Sequence, residues 1–227
     1  IEKNVQEVID SAVTKACLGL DNVDEKLLAS EIKSATYEGI SEKDLAESML
    51  MTARTMVEKE PNYSFVTARL LLNNLEKEVC AFLGVGEKRD RNKMYKEALT
   101  RTIDKGIELD FLNEDLKSFD LEKLGQAILE ERDFQFTYLG LQTLYDRYFI
   151  TSDETRYELP QVFFMRVAMG LALDEENKDQ RALEFYKLLS SFDYMSSTPT
   201  LFNSGTKRPQ LSSCYLTTVP DDLSGIY

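Results

Sequence analysis

Apolar residues recur every three or four positions through most of this chain, and Gly, Pro, Asp or Ser interrupts them at short intervals. That spacing marks helices with one buried stripe, so the chain is limited to short helices packed on one another. Val5, Val8, Ile9, Ala12, Val13 and Ala16 share one face of a helix over 3–18, which Gly19 stops. Asp24 caps a second helix carrying Leu27, Leu28, Ile32 and Ala35, and Gly39 breaks it. Ser41 starts a third, with Asp44 completing an imperfect capping box, and Leu45, Met49, Ala53, Met56 and Val57 form its buried face. Pro61 opens a fourth at its first turn, with a stripe from Phe65 through Leu75. A compact helical unit to about residue 83 follows from these short links.

Gly84-Val85-Gly86 and the charged run Glu87 to Arg91 mark a boundary. Helical periodicity then resumes over 92–105, 120–131, 137–147, 160–173 and 178–191. Between Arg147 and Leu159, the phrases Tyr148-Phe149-Ile150 and Arg156-Tyr157-Glu158 suit a short hairpin. From Ser191 the composition turns to Ser, Thr, Pro, Gly and Asn. The β-branched and aromatic run Ser212 to Val219 then predicts a strand, ended by Pro220-Asp221-Asp222.

Charge and composition exclude several functions. The 27 Lys and Arg against 40 Asp and Glu give a net charge of −13. A general electrostatic grip on nucleic acid or anionic lipid is therefore not expected. No apolar run approaches the roughly 20 residues that span a bilayer. The chain has no His, which removes Ser-His-Asp and Cys-His nucleophiles and imidazole metal ligands. Its three cysteines, Cys17, Cys80 and Cys214, are widely spaced and odd in number. They form neither a disulfide framework nor a zinc pattern, and a reducing, cytoplasmic setting fits them. The chain opens on Ile1 and closes on the apolar phrase ending at Tyr227, so it reads as an internal piece of a longer protein.

The residues that could carry chemistry lie near the end. Cys214 reads as a small buried hydrophobe on composition alone. A redox or radical role is the alternative, and it needs a second thiol from elsewhere. Ser196, Ser197, Thr198, Thr200, Ser204, Ser212 and Ser213 suit either turn chemistry or a phosphate and ribose pocket. Asp221-Asp222 suits either a turn or a ribose contact after a strand. Other carboxylates, such as those of 110–115 and 174–176, read as solvated faces. Cys17 and Cys80 read as core.

The run Ser197-Thr198-Pro199-Thr200-Leu201-Phe202-Asn203-Ser204-Gly205, followed by Arg208-Pro209-Gln210-Leu211-Ser212-Ser213-Cys214-Tyr215-Leu216, resembles the large (α) subunit of class I ribonucleotide reductase. The resemblance continues into Asp221-Asp222-Leu223 and Gly225-Ile226-Tyr227. Upstream, Tyr37-Glu38-Gly39-Ile40 and Tyr63 through Leu71 resemble the helical part of an ATP-cone, the regulatory module of these subunits.

The resemblance implies a mainly α chain in three parts. These are an ATP-cone-like unit over 1–86 without its opening hairpin, a helical region over 92–191, and the first strand of a ten-stranded α/β barrel over 192–227. It implies reduction of ribonucleoside diphosphates, started by a thiyl radical that a metal-containing small (β) subunit generates. Cys214 matches one member of the redox cysteine pair, with its partner beyond residue 227. Thr200 and Ser213 match substrate-binding positions, and Asp221 matches a ribose contact of the specificity effector, with Leu223 close by. Lys3 and Lys77 match triphosphate contacts of the cone. Expected partners are the β subunit, a second α copy and thioredoxin or glutaredoxin, with ATP, dATP and dNTP effectors and no metal or cofactor held by this chain.

Where many cones carry Thr and His, this chain has Glu42 and Ala46. Glu42 would set a negative charge beside phosphate, as in a degenerate cone that does not bind nucleotide. A truncated barrel would leave this piece inactive and only partly stable. The alternatives are an adenosylcobalamin-dependent reductase, a glycyl-radical reductase and a non-catalytic nucleotide-sensing module.

Overall fold

The computed structural model describes residues 5–86, 90–219 and 221–226, with side chains to Ser224. It is mainly helical. Helices α1 (Val5–Cys17), α2 (Glu25–Ser34), α3 (Glu42–Thr55) and α4 (Tyr63–Leu83) come first. The caps read from the sequence form as expected. The Asp24 carboxylate accepts from Leu27 N at 2.9 Å. Ser41 Oγ accepts from Asp44 N at 3.1 Å and donates to the Asp44 carboxylate at 2.8 Å. Pro61 departs from expectation: it lies in the turn before α4, whose N-cap is Asn62. Gly84 ends α4 in the left-handed region at φ 66°, a backbone that glycine adopts without a Cβ clash.

Ile9, Val13, Leu28, Ile32, Leu45, Met49, Ala53, Tyr63, Val66 and Leu70 form the first core. The other flank of α4, with Leu71, Leu72, Leu75, Val79, Cys80 and Leu83, belongs to a second, larger core. One helix thus serves both cores, which explains why its sequence is apolar over so much of its surface.

The second core is built by α5 (Arg91–Glu108), α6 (Leu121–Gln126), α7 (Tyr138–Arg147), α8 (Pro160–Leu171) and α9 (Lys178–Ser190). Short 3₁₀-helices at Glu114–Ser118 and Glu130–Gln135 connect them. The helix expected over 120–131 is therefore two shorter pieces. A hairpin does form between α7 and α8, from β1 (Thr151–Ser152) and β2 (Thr155–Arg156), which pair antiparallel. Its turn residues Asp153 and Glu154 have φ of 46° and 64°.

The hydroxyl-rich stretch is not an open loop: Thr198–Asn203 is a short helix, α10, with Pro199 in its first turn. The strand expected over 212–219 is absent, since those residues form neither helix nor ladder. Strand structure needs a neighbour offering its own N–H and C=O row, and no described segment runs alongside. The bridge between Leu112 and Thr206 is isolated. The last described element is α11 (Leu223–Ile226).

Candidate functional site

The segment from Ser197 to Val219 holds Thr200, Ser213 and Cys214, to which the resemblance gives roles, and the fold grips its first half from beneath. Helix α8 supplies the grip. Its run Val162-Phe163-Phe164-Met165-Arg166-Val167-Ala168-Met169 is wholly buried, including the arginine. A buried guanidinium needs a counter-charge and a partner for each donor. Glu158, fully buried just before α8, supplies the charge: Arg166 Nε reaches Glu158 Oε1 at 2.7 Å and Nη2 reaches Oε2 at 3.1 Å. The remaining donor, Nη1, points at the backbone of the segment. It donates to the carbonyls of Ser204 at 2.7 Å, Leu201 at 3.3 Å and Phe202 at 3.5 Å. Glu158 also accepts from Ile150 N at 2.9 Å, which ties the pair to the hairpin.

Other contacts complete the grip. Ser204 Oγ donates to Val167 O at 2.7 Å. Gly205, at φ 78°, lies against Gly170 so closely that a Cβ on Gly170 would sit 2.0 Å from the Gly205 nitrogen. Asn113 N donates to Gly205 O and Lys207 N to Phe111 O, both at 3.0 Å. Tyr148 stacks on Phe202 with centroids 4.7 Å apart, and its hydroxyl meets Thr198 Oγ1 at 3.0 Å. Tyr148 and Phe202, with Arg147, Asn203, Lys207 and Arg208, border an open cleft of about 840 Å³.

Thr200 is half-buried on α10, and its hydroxyl donates to Leu211 O at 3.0 Å. Asn203 Nδ2 donates to Gln210 O at 2.8 Å. These two bonds fold the chain back on α10 just before Ser212. Ser213 and Cys214 are exposed, so the reading of Cys214 as a packed core thiol is overturned. Cys17 and Cys80 are buried as expected, and burial pushes the Cys17 thiol up to about 11. Asp221 and Leu223 lie in the exposed last turn, apart from the Arg166 grip. Lys3 lies outside the described residues.

Lys77 stands elsewhere, on α4, where its ammonium pairs with Glu42 of α3 at 2.9 Å. The pair borders an open cleft of about 760 Å³, with Ala46, Glu47, Glu78 and Tyr145 also on its wall.

The sequence reading missed the buried polar groups. A lone Arg inside an apolar helical run, at 166, was the available signal for one. The other centres on Asp133, fully buried, which accepts from Arg91 at 2.9 Å, from Gln161 at 2.9 Å and from the Tyr95 hydroxyl. Burial pushes the Asp133 carboxyl up to about 7 against the pull of Arg91 and of those two hydrogen bonds. Among the described residues no group of His, Cys, Asp and Glu side chains is placed to hold a metal ion. No described helix is long and apolar enough to cross a membrane.

Helix α8, the buried pair and the gripped first part of the segment, 197–207, fall within residues 134–209, which match the family model described as the ribonucleotide reductase all-alpha domain. The whole chain, in turn, is similar to ribonucleoside-diphosphate reductase alpha subunits. Over 208 residues it is 48% identical to the subunit alpha of Chlamydia muridarum, covering 91% of this chain and 20% of that relative. The subunit alpha of Helicobacter pylori strain 26695 is 39% identical over 210 residues, 92% of this chain and 25% of the relative. The large chain of Schizosaccharomyces pombe is 33% identical over 232 residues, all of this chain and 27% of the relative. The chain therefore spans between a fifth and somewhat over a quarter of the length of these relatives.

Proposed function

We propose that this chain is part of the large (alpha) subunit of a class I ribonucleotide reductase, an oxidoreductase that makes deoxyribonucleoside diphosphates for DNA replication. The observation that carries this is the similarity, 33% to 48% identical across nearly the whole chain, to relatives named for that activity. An exposed thiol placed just beyond the gripped segment supports it.

In this reading Cys214 is one member of a dithiol. Reduction replaces the 2′ C–O bond of the ribose by C–H. The dithiol gives up two electrons and two protons, the hydroxyl leaves as water, and the sulfurs join as a disulfide. The second thiol comes from the same subunit outside these residues. A small (β) subunit supplies the radical that starts the reaction, and thioredoxin or glutaredoxin restores the dithiol. The Thr200 proton is committed to Leu211 O, so toward a nucleoside diphosphate Thr200 acts as an acceptor. The exposed Ser213 hydroxyl is free to donate. Asp221, with Leu223, serves the ribose of a dNTP effector in a dimer of alpha subunits.

Residues 1–86 are a cone-like unit, 92–191 the helical region, and 192–227 the approach to the catalytic barrel. The cone is degenerate: Glu42 occupies the Lys77 ammonium and would repel a triphosphate that Lys3 and Lys77 would otherwise hold. Micromolar binding of ATP or dATP by this unit would contradict that point. The setting is cytoplasmic.

The test is CDP reduction by the full-length protein with its β subunit and thioredoxin, comparing wild type with Cys214→Ser. The expected result is loss of turnover with substrate and effector binding retained. Unchanged turnover in Cys214→Ser would refute the role.

A further inference from the structure

Resting on that reading, we propose that Glu158 and Arg166 are positioning residues for the reaction: they set where Thr200, and through it Ser213 and Cys214, stand relative to the substrate. Neither side chain has an outward face, and both are fully buried. Burying a charge pair brings little net stability compared with an apolar pair of the same shape. This one instead directs three donors with a fixed fork geometry. Two lock to Glu158, and the third reaches the carbonyls of Leu201, Phe202 and Ser204.

Those carbonyls lie at the C-terminal end of α10, where helical carbonyls lack intrahelical donors and partial negative charge gathers. A guanidinium below them holds the end of α10 without any side chain from the segment itself. Thr200 lies on that helix, and its hydroxyl carries the constraint across to Leu211. Ser213 and Cys214 follow two and three residues later. Lysine would not substitute, because a single ammonium lacks the fork that engages Glu158 and the carbonyls together. The close approach of Gly170 to Gly205 and the Ser204–Val167 hydrogen bond add two further constraints on the same backbone.

The experiment uses the full-length protein with its β subunit and thioredoxin, and measures KM and kcat for CDP reduction in wild type, Arg166→Lys and Ser204→Ala. Thermal unfolding and effector binding are measured on the same samples. Misplacing reacting groups by about 1 Å costs on the order of a hundredfold. The expected result for Arg166→Lys is a fall in kcat/KM of about tenfold to a hundredfold, with effector binding unchanged at a temperature where the protein is folded. Ser204→Ala removes one tether and no charge, so it folds and loses about threefold. A second readout follows Cys214 itself. Saturating CDP protects it from iodoacetamide in wild type, and that protection weakens in Arg166→Lys. If Arg166→Lys does not fold, Ser204→Ala decides alone. Wild-type KM, kcat and protection in the folded variants would overturn the inference. Absence of CDP reduction in wild type would instead overturn the functional reading beneath it.

Discussion

Replacing Gly170 with alanine measures how firmly α8 holds the segment above it. A Cβ at 170 would lie 2.0 Å from Gly205 N, 2.4 Å from Ser204 Oγ and 2.6 Å from the Ser204 carbonyl carbon. Favourable contact begins at about 3.5 Å, so the backbone at 204–205 has to withdraw by about 1.5 Å. Two of the three nearest atoms are backbone, so rotation of one side chain does not relieve the clash. The withdrawal breaks two short hydrogen bonds: Ser204 Oγ to Val167 O, and Arg166 Nη1 to Ser204 O, each 2.7 Å. A neutral bond of this kind is worth about 1 kcal/mol and one from a charged donor about 2, so local opening becomes easier by about 3 kcal/mol. At about 1.4 kcal/mol per factor of ten, that is about two orders of magnitude in opening. The amides of Asn113 and Lys207, which bond to Gly205 O and Phe111 O, report it directly. Hydrogen exchange followed by mass spectrometry on the full-length protein should show them exchanging about a hundredfold faster in Gly170→Ala. Rates within threefold of wild type would mean that the segment is not held in the way described.

Two other outcomes are expected. The Asp133 carboxyl sits at about 7 in the fold because of burial, against about 3.9 unfolded. The folded state therefore binds this proton more tightly, and the group's contribution is present below about pH 4 and lost as pH rises through about 7. Urea unfolding should show wild type gaining stability relative to Asp133→Asn between pH 8 and pH 5, and identical pH dependence in the two proteins would refute it. Iodoacetamide at pH 8 should label Cys214 and spare Cys17, whose thiol at about 11 leaves roughly one molecule in a thousand as thiolate. Peptide mass spectrometry distinguishes the two sites, and equal labelling would contradict their assigned environments.

Much of the helical architecture was legible because its causes are local. Asp24 and Ser41 announce helix starts through the donors they satisfy, and the stripes from Val5 to Leu75 follow a helical period whatever surrounds them. The hairpin lay within reach for the same reason. The stretch 212–219 failed as a strand because its β-branched residues state a preference that only a neighbouring strand can realise. Thr198-Pro199-Thr200 read as loop chemistry, although Pro in a first turn equally starts a helix. Arg166 and Asp133 were passed over because a helical period does not register their partners: Glu158 lies eight residues before Arg166, and the carbonyls of 201–204 and the donors to Asp133 lie tens of residues away. Glu158 precedes α8, Arg91 opens α5, and nothing in local periodicity joins them. The exposure of Cys214 is likewise a tertiary fact that residue type does not encode.

Helix α4 gives one flank to each core, and this bears on how such a chain can be taken apart or rebuilt. Removing the first three helices would strip Val66 and Leu70 of their cover. Cutting at Gly84 would instead carry away Leu71, Leu75 and Val79, a wall of the second core. Melting either half uncovers apolar residues of α4 that pack against it, so the two regions are coupled in stability through that helix although their sequences read as separate modules. A recombination event that exchanges the leading unit together with α4 therefore has to import a helix already matched to the downstream core. A crossover between α3 and α4 keeps α4 with the downstream core, but Leu50 of α3 also packs against both cores, so the incoming unit has to fit Val66, Leu70 and the second core beside Leu50.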